Sequence, residues 1–100
     1  MTLHTWNKAD SSLPNFRLCL AAWREGDALL LIEDGVYVLC QPLSALFADA
    51  QVPAGMRLFA LADDLAARGI SDRIPSLVSV IDYREFVALS LHHERVVSWI

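Results

Sequence analysis

Three runs of almost unbroken apolar residues constrain this chain more than any other feature: "ALLLI" at 28–32, "RLFAL" at 57–61 and "LVSVI" at 77–81. A strand with one wet face alternates apolar and polar residues, whereas a strand covered on both faces does not. Short runs of this kind, with helical patterns between them, belong to parallel sheets flanked by helices. "TLHTW" at the start and "VVSWI" at the end are two further strand candidates.

Helical patterns fill the intervals. Phe16, Cys19, Leu20 and Trp23 fall at spacings that share a helix face. This first helix is expected to start at Ser11 or Ser12 as N-cap, to take Pro14 in its first turn and to stop near Gly26. In "ADDLAARG", Asp63 is the expected N-cap, Asp64 suits the helix dipole and Gly69 is the stop. "DYREFVALSLHH" opens with Asp82 and, three residues on, Glu85, an Asp-headed capping box. Phe86, Leu89 and His93 then follow one face, and Val87 and Leu91 its neighbour. Glu33, Asp34 and Gly35 read as a strand ending in a tight turn. Between Gly35 and Gly55 the pattern is weak, with "PLSALFADA" a candidate helix and "QVPAG" a loop. Alternating strands and helices in this order predict right-handed crossovers and a small three-layer α/β/α architecture. One hundred residues suit one domain, 1–100, with one core.

Composition bears on partners. The chain is 55% hydrophobic and 20% charged, with a mean hydropathy of +0.38, rich for a length at which much of the surface must stay wet. A sheet buried on both faces explains part of this excess, and a surface hidden against partner subunits explains more. The apolar runs are too short to span a bilayer, and "MTLHTWNKAD" has no signal-peptide pattern. Two cysteines without a CxxC make no disulfide framework, so a cytoplasmic chain with reduced thiols is expected. A formal net charge of −4 argues against direct binding of nucleic acid. Arg17, Arg24, Arg57, Arg68, Arg73, Arg84 and Arg95 are scattered, as on solvated faces.

Most catalytic signatures are missing, including the nucleotide-binding glycine loops, GxSxG, HExxH and paired CxxC. No cofactor and no metal are expected. His92 and His93 are neighbours, about 100° apart on a helix, which suits exposed or interface positions better than a shared metal. His4 reads as a hydrogen-bonded structural residue. Asp34, at the end of "LLLIEDG", occupies a strand-end loop, the usual address for binding in parallel sheets. Spacing leaves Cys19 open between an inert core thiol and a reactive one. Cys40, after "GVYVL", reads as structural.

"LHTWNK", "LLLIEDGVY", "LADDLAARGI" and "VSVIDYREFVALS", with a final "SWI", together resemble the DsrH/TusB family in order and length. The likeness is weakest from Val38 to Arg57. It implies the DsrE-like fold, with a five-stranded, largely parallel sheet. It also implies a subunit of a heterohexamer of TusBCD or DsrEFH type, beside DsrE/TusD-like and DsrF/TusC-like chains and a DsrC/TusE-like sulfur carrier. Such complexes pass persulfide sulfur towards 2-thiouridine at the tRNA wobble position, or serve sulfur oxidation. The principal sulfur-carrying cysteine is expected on the DsrE/TusD-like subunit. Cys19 occupies the first-helix position where the DsrH branch carries a cysteine, which makes it a candidate persulfide carrier. The first expectation is a subunit that completes the assembly and its docking surface, able to form a homo-oligomer when isolated. A sulfurtransferase acting through Cys19 comes second, and a ligand-binding module using Asp34 third.

Overall fold

The run that never alternates belongs to the middle of the sheet. In the computed structural model, which describes residues 1–47 and 57–99, five strands form one all-parallel sheet in the order β4-β3-β2-β1-β5. They are β1 (Thr2–Trp6), β2 (Ala28–Leu31), β3 (Arg57–Leu61), β4 (Val78–Ile81) and β5 (Arg95–Trp99). All four residues of β2 are buried. The edge strands β4 and β5 are exposed along much of their length.

Register sorts the side chains. Leu29 and Leu31 of β2 lie beside His4 and Trp6 of β1 and Leu58 and Ala60 of β3. These residues form the sheet face carrying α1 (Pro14–Ala22), a 3₁₀ helix (Glu33–Cys40), α2 (Leu43–Leu46) and α3 (Ala62–Ala67). Phe16, Cys19 and Leu20 of α1, Val36, Val38 and Leu39 of the 3₁₀ helix, Leu46 of α2 and Leu65 of α3 complete that core. Trp6 and Phe16 meet edge to face at 5.0 Å. Burying side chains of this size contributes roughly 1.5–3 kcal/mol each. The opposite face presents Leu3, Ala28, Leu30 and Ile81, with Phe59, to α4 (Tyr83–Leu91) through Phe86 and Leu89.

Helix ends depart from expectation where tertiary contacts intervene. The N-cap of α1 is Leu13, which makes no side-chain capping bond, and Pro14 starts the helix. The serines are engaged elsewhere: Ser12 donates to Asp10, and Ser11 Oγ accepts from Gln41 Nε2 at 2.7 Å. The helix stops at Ala22, and Gly26, with φ +87°, makes the turn into β2. α3 is capped by Leu61, not Asp63, so Asp63 and Asp64 lie inside its first turn. Gly69 ends that segment with φ +68°. The capping box of α4 forms both of its bonds, Glu85 N–H to Asp82 and Asp82 N–H to Glu85.

The expected tight turn at Glu33–Gly35 is instead the start of the eight-residue 3₁₀ helix. Of "PLSALFADA", residues 43–46 form α2, while 48–50 and the whole of "QVPAG" lie outside the described residues.

Candidate functional site

The C-terminal ends of the strands place Asp34. Ile32 N–H donates to the Trp6 carbonyl at 3.0 Å, and Gly35 N–H to the Ile32 carbonyl at 2.8 Å. This draws Gly35 so close to β1 that a Cβ there would lie 2.1 Å from the Trp6 carbonyl oxygen. Glu33 takes the left-handed conformation (φ +52°), and its N–H donates to Asp64 Oδ2 at 2.7 Å. Asp34 then faces solvent and pairs with the Arg68 guanidinium at 2.9 Å. Arg68 also lies 3.5 Å from Asp64 and above the Tyr37 ring. The strand-end loop is therefore a charged lattice of Asp34, Asp64 and Arg68.

The two thiols sit in opposite environments. Cys19, on the inner face of α1, is 1% exposed, and burial pushes its thiol up to about 12. Only roughly one molecule in 10⁵ would carry a thiolate there at neutral pH. Cys40, read from sequence as structural, is the exposed one. It ends the 3₁₀ helix, which turns Val38 and Leu39 inward instead. Cys19 faces the core and Asp34 faces water, so the fold does not assemble them into one centre. Among the described residues no group of three metal-ligating side chains occurs.

The histidines divide differently from expectation. His4 is buried and hydrogen-bonded, as its place on a strand suggests. His92 is exposed, but its neighbour His93 is buried. His93 Nδ1 lies 2.7 Å from the Leu89 carbonyl, and its Nε2 lies 2.9 Å from Arg57, which also donates to the Gly26 carbonyl. Arg57 and Arg68 are thus structural cations and not members of a solvated face. Sequence reading also passed over Asp27. Its carboxylate accepts from Thr2 N–H at 2.8 Å, Arg24 N–H at 2.9 Å and His4. Burial pushes this carboxyl up, but the Thr2 and Arg24 N–H groups and His4 outweigh that and hold it below the usual carboxylate range. The only signal in the sequence was an acid directly before an apolar strand.

The most distinctive surface is apolar. No residue of α4 is fully buried. Phe86 and Leu89 face the sheet, while Tyr83, Val87 and Leu91 form an i, i+4, i+8 stripe that is 55%, 57% and 80% exposed. Val96 lies beside Leu3 in register, on the same sheet face, and is also exposed. Between α4 and strands β3 and β4 runs a groove of about 270 Å³ lined by Phe59, Ile81, Glu85, Ala88, Leu89 and His92. Large exposed apolar side chains aligned on one element mark an interaction surface. No helix among the described residues is long and apolar enough to cross a membrane.

Comparison with known proteins agrees with this architecture. The family described as "DsrH like protein" matches residues 8–96. Protein TusB of Salmonella typhimurium and that of Salmonella arizonae are each 36% identical over 97 residues, covering 97% of this chain and 99% of theirs. The solution structure of protein Tm0979 from Thermotoga maritima superposes with a TM-score of 0.59 at 26% identity, covering 94% of this chain and 95% of that one. The five-stranded parallel sheet with helices on both faces is therefore shared along nearly the whole length, and the chain belongs to the DsrH/TusB family.

Proposed function

We propose that this chain is a cytoplasmic subunit of a sulfur-relay complex that completes the assembly and shapes its docking surface, leaving sulfur transfer to its partners. The carrying observation is α4, a helix with a satisfied capping box, no fully buried residue and an outward stripe of Tyr83, Val87 and Leu91. A subunit can cover such a face with its neighbours, here DsrE/TusD-like and DsrF/TusC-like chains, together with a DsrC/TusE-like carrier. In isolation, the same face would pair two copies of the chain. Burial of Cys19 supports the placement of the working persulfide on a sister subunit. A Cys19-borne persulfide would require α1 to lift from the sheet first.

The TusB relatives favour a relay towards 2-thiouridine at the tRNA wobble position. The DsrH family match sustains the alternative of sulfur oxidation. Deleting the gene and measuring modified nucleosides by mass spectrometry separates the two. Loss of 2-thiouridine, restored by the wild-type chain and by Cys19→Ala alike, is the expected result. Unchanged 2-thiouridine would remove the thiolation reading, and failure of Cys19→Ala to restore it would make Cys19 a carrier. The acidic balance of the chain leaves contact with tRNA to a downstream enzyme.

A further inference from the structure

Side chains from three separate segments meet at His4. This residue lies in the middle of β1 and is 3% exposed. Its Nε2 is 3.0 Å from Asp27 Oδ2, and its Nδ1 is 3.1 Å from the indole Nε1 of Trp99. An indole N–H can only donate. Nδ1 must therefore keep its lone pair, and the ring proton sits on Nε2, directed at Asp27. Trp99 selects the neutral ring in one tautomer.

A protonated imidazole carries N–H groups at both nitrogens. Its Nδ1–H would then face the indole N–H, donor against donor. Asp27 acts in the opposite sense, because a carboxylate against Nε2 favours a cation. The other charged groups on the surrounding segments are the amino terminus of β1, Arg17 of α1, Arg24 and Glu25 of the α1–β2 loop, and Glu94 and Arg95 at the start of β5. Asp27 is the one hydrogen-bonded to the ring.

We propose that His4, Asp27 and Trp99 form a protonation-gated latch on the edge of the sheet. Neutral His4 fastens the indole of Trp99. A proton arriving from solvent at Nδ1 breaks that bond while the bond from Nε2 to Asp27 persists. What the latch holds is the last described residue of β5, an edge strand that pairs, among the described residues, only with β1. Trp99 also packs against the larger core. Its release exposes an aromatic ring and loosens the C-terminal end of the edge strand. By linkage, fastening Trp99 weakens proton binding by the same factor by which the proton weakens fastening. One neutral hydrogen bond makes that factor roughly three- to tenfold. This inference stands apart from the sulfur-relay reading.

The test is ¹H–¹⁵N NMR of the full chain between pH 8 and 5, following the Trp99 indole N–H and the His4 ring nitrogens. The two are expected to move with one shared midpoint, while the indoles of Trp6 and Trp23 hold still. His4→Gln can donate to Asp27 and accept from Trp99 but cannot titrate, so it should keep the latch fastened at every pH in this range. Trp99→Phe keeps the ring without the donor, and should move the His4 transition upward by about half to one pH unit. The latch is overturned if His4 titrates with Trp99 unmoved, if His4→Gln leaves the Trp99 response intact, or if His4 stays neutral until acid unfolds the chain. Trp99→Phe decides the matter by itself if His4→Gln fails to fold.

Discussion

The two faces of the sheet are built from the same strands and meet different fates. On the α1 side, sixteen buried residues among those described form one continuous core; on the α4 side there are four. Strand chemistry does not account for this, since β2 sends leucines to both faces. The difference lies in what lies above them. Among the described residues, one face is roofed by α1, the 3₁₀ helix, α2 and α3, and the other by α4 alone. The α1 face carries the larger core, and the helix over the α4 face leaves Tyr83, Val87 and Leu91 exposed.

Truncation at matched aromatic positions should break or confirm that division. Phe16→Ala removes a fully buried ring against Trp6 and should cost about 3–5 kcal/mol by urea unfolding. Phe86→Ala, at a half-buried position facing the sheet from α4, should cost about half as much. Equal losses would mean that α4 is as integral as α1. Gly35→Ala comes next on the α1 side. Its Cβ would meet backbone, the Trp6 carbonyl oxygen at 2.1 Å, which cannot turn aside as a side chain can. A loss of about 2–4 kcal/mol is expected, read from the same unfolding midpoints.

These positions also show what could be read in the sequence. All five strands lie within a residue of where the apolar runs put them, because period and composition are local. Burial on both faces accounts for the unbroken run of β2. The "LVSVI" run, expected to be covered on both faces, is instead the edge strand β4, with Val80 exposed. The capping box at Asp82 was legible because it too is local: both of its bonds lie within four residues. Leu13 caps α1 because Ser11 and Ser12 are drawn to Gln41 and Asp10, and the Gln41 contact spans thirty residues. Gly35 fits only glycine because β1 passes against it, which no pattern from 33 to 40 reveals. The same distance hid Asp27 and the His93–Arg57 contact. Of the candidate site, the sequence named Cys19 and Asp34. The helical spacing of Phe16, Cys19, Leu20 and Trp23 left a core position open for the thiol, but nothing local showed that Asp34 meets Arg68, thirty-four residues away.

Cys19 tests the α1 face by charge instead of volume. Its thiol, ordinarily near 9, is pushed up to about 12 by burial, so the folded state holds the proton more tightly than the unfolded chain does. The stabilisation is therefore complete below pH 9 and is lost as pH climbs from 9 towards 12. Urea midpoints should fall across that window and stay flatter in Cys19→Ala. At neutral pH, Cys19→Ser should cost about 1–3 kcal/mol by placing a hydroxyl in an apolar site. A thiol reagent should label Cys40 in the native protein and reach Cys19 only on unfolding; prompt labelling of both would mean that the α1 roof opens readily.

The smallest effect on folding belongs to the α4 stripe, and there smallness is the informative result. Val87→Asp and Leu91→Lys each replace a side chain that is more than half exposed and lies outside both cores. A surface change of this kind shifts stability by about 0.5 kcal/mol or less. If the stripe is merely exposed, association should be as insensitive as stability. If it is the buried half of an interface, a charge at its centre must be desolvated against apolar groups, and each variant should fail to co-purify with the sister subunits at an almost unchanged melting temperature. Ala88→Lys, on the groove side of the same helix, separates the two flanks of α4. Assembly that survives it but not Val87→Asp would place the partner on the Tyr83–Val87–Leu91 side, and the reverse outcome would place it in the groove.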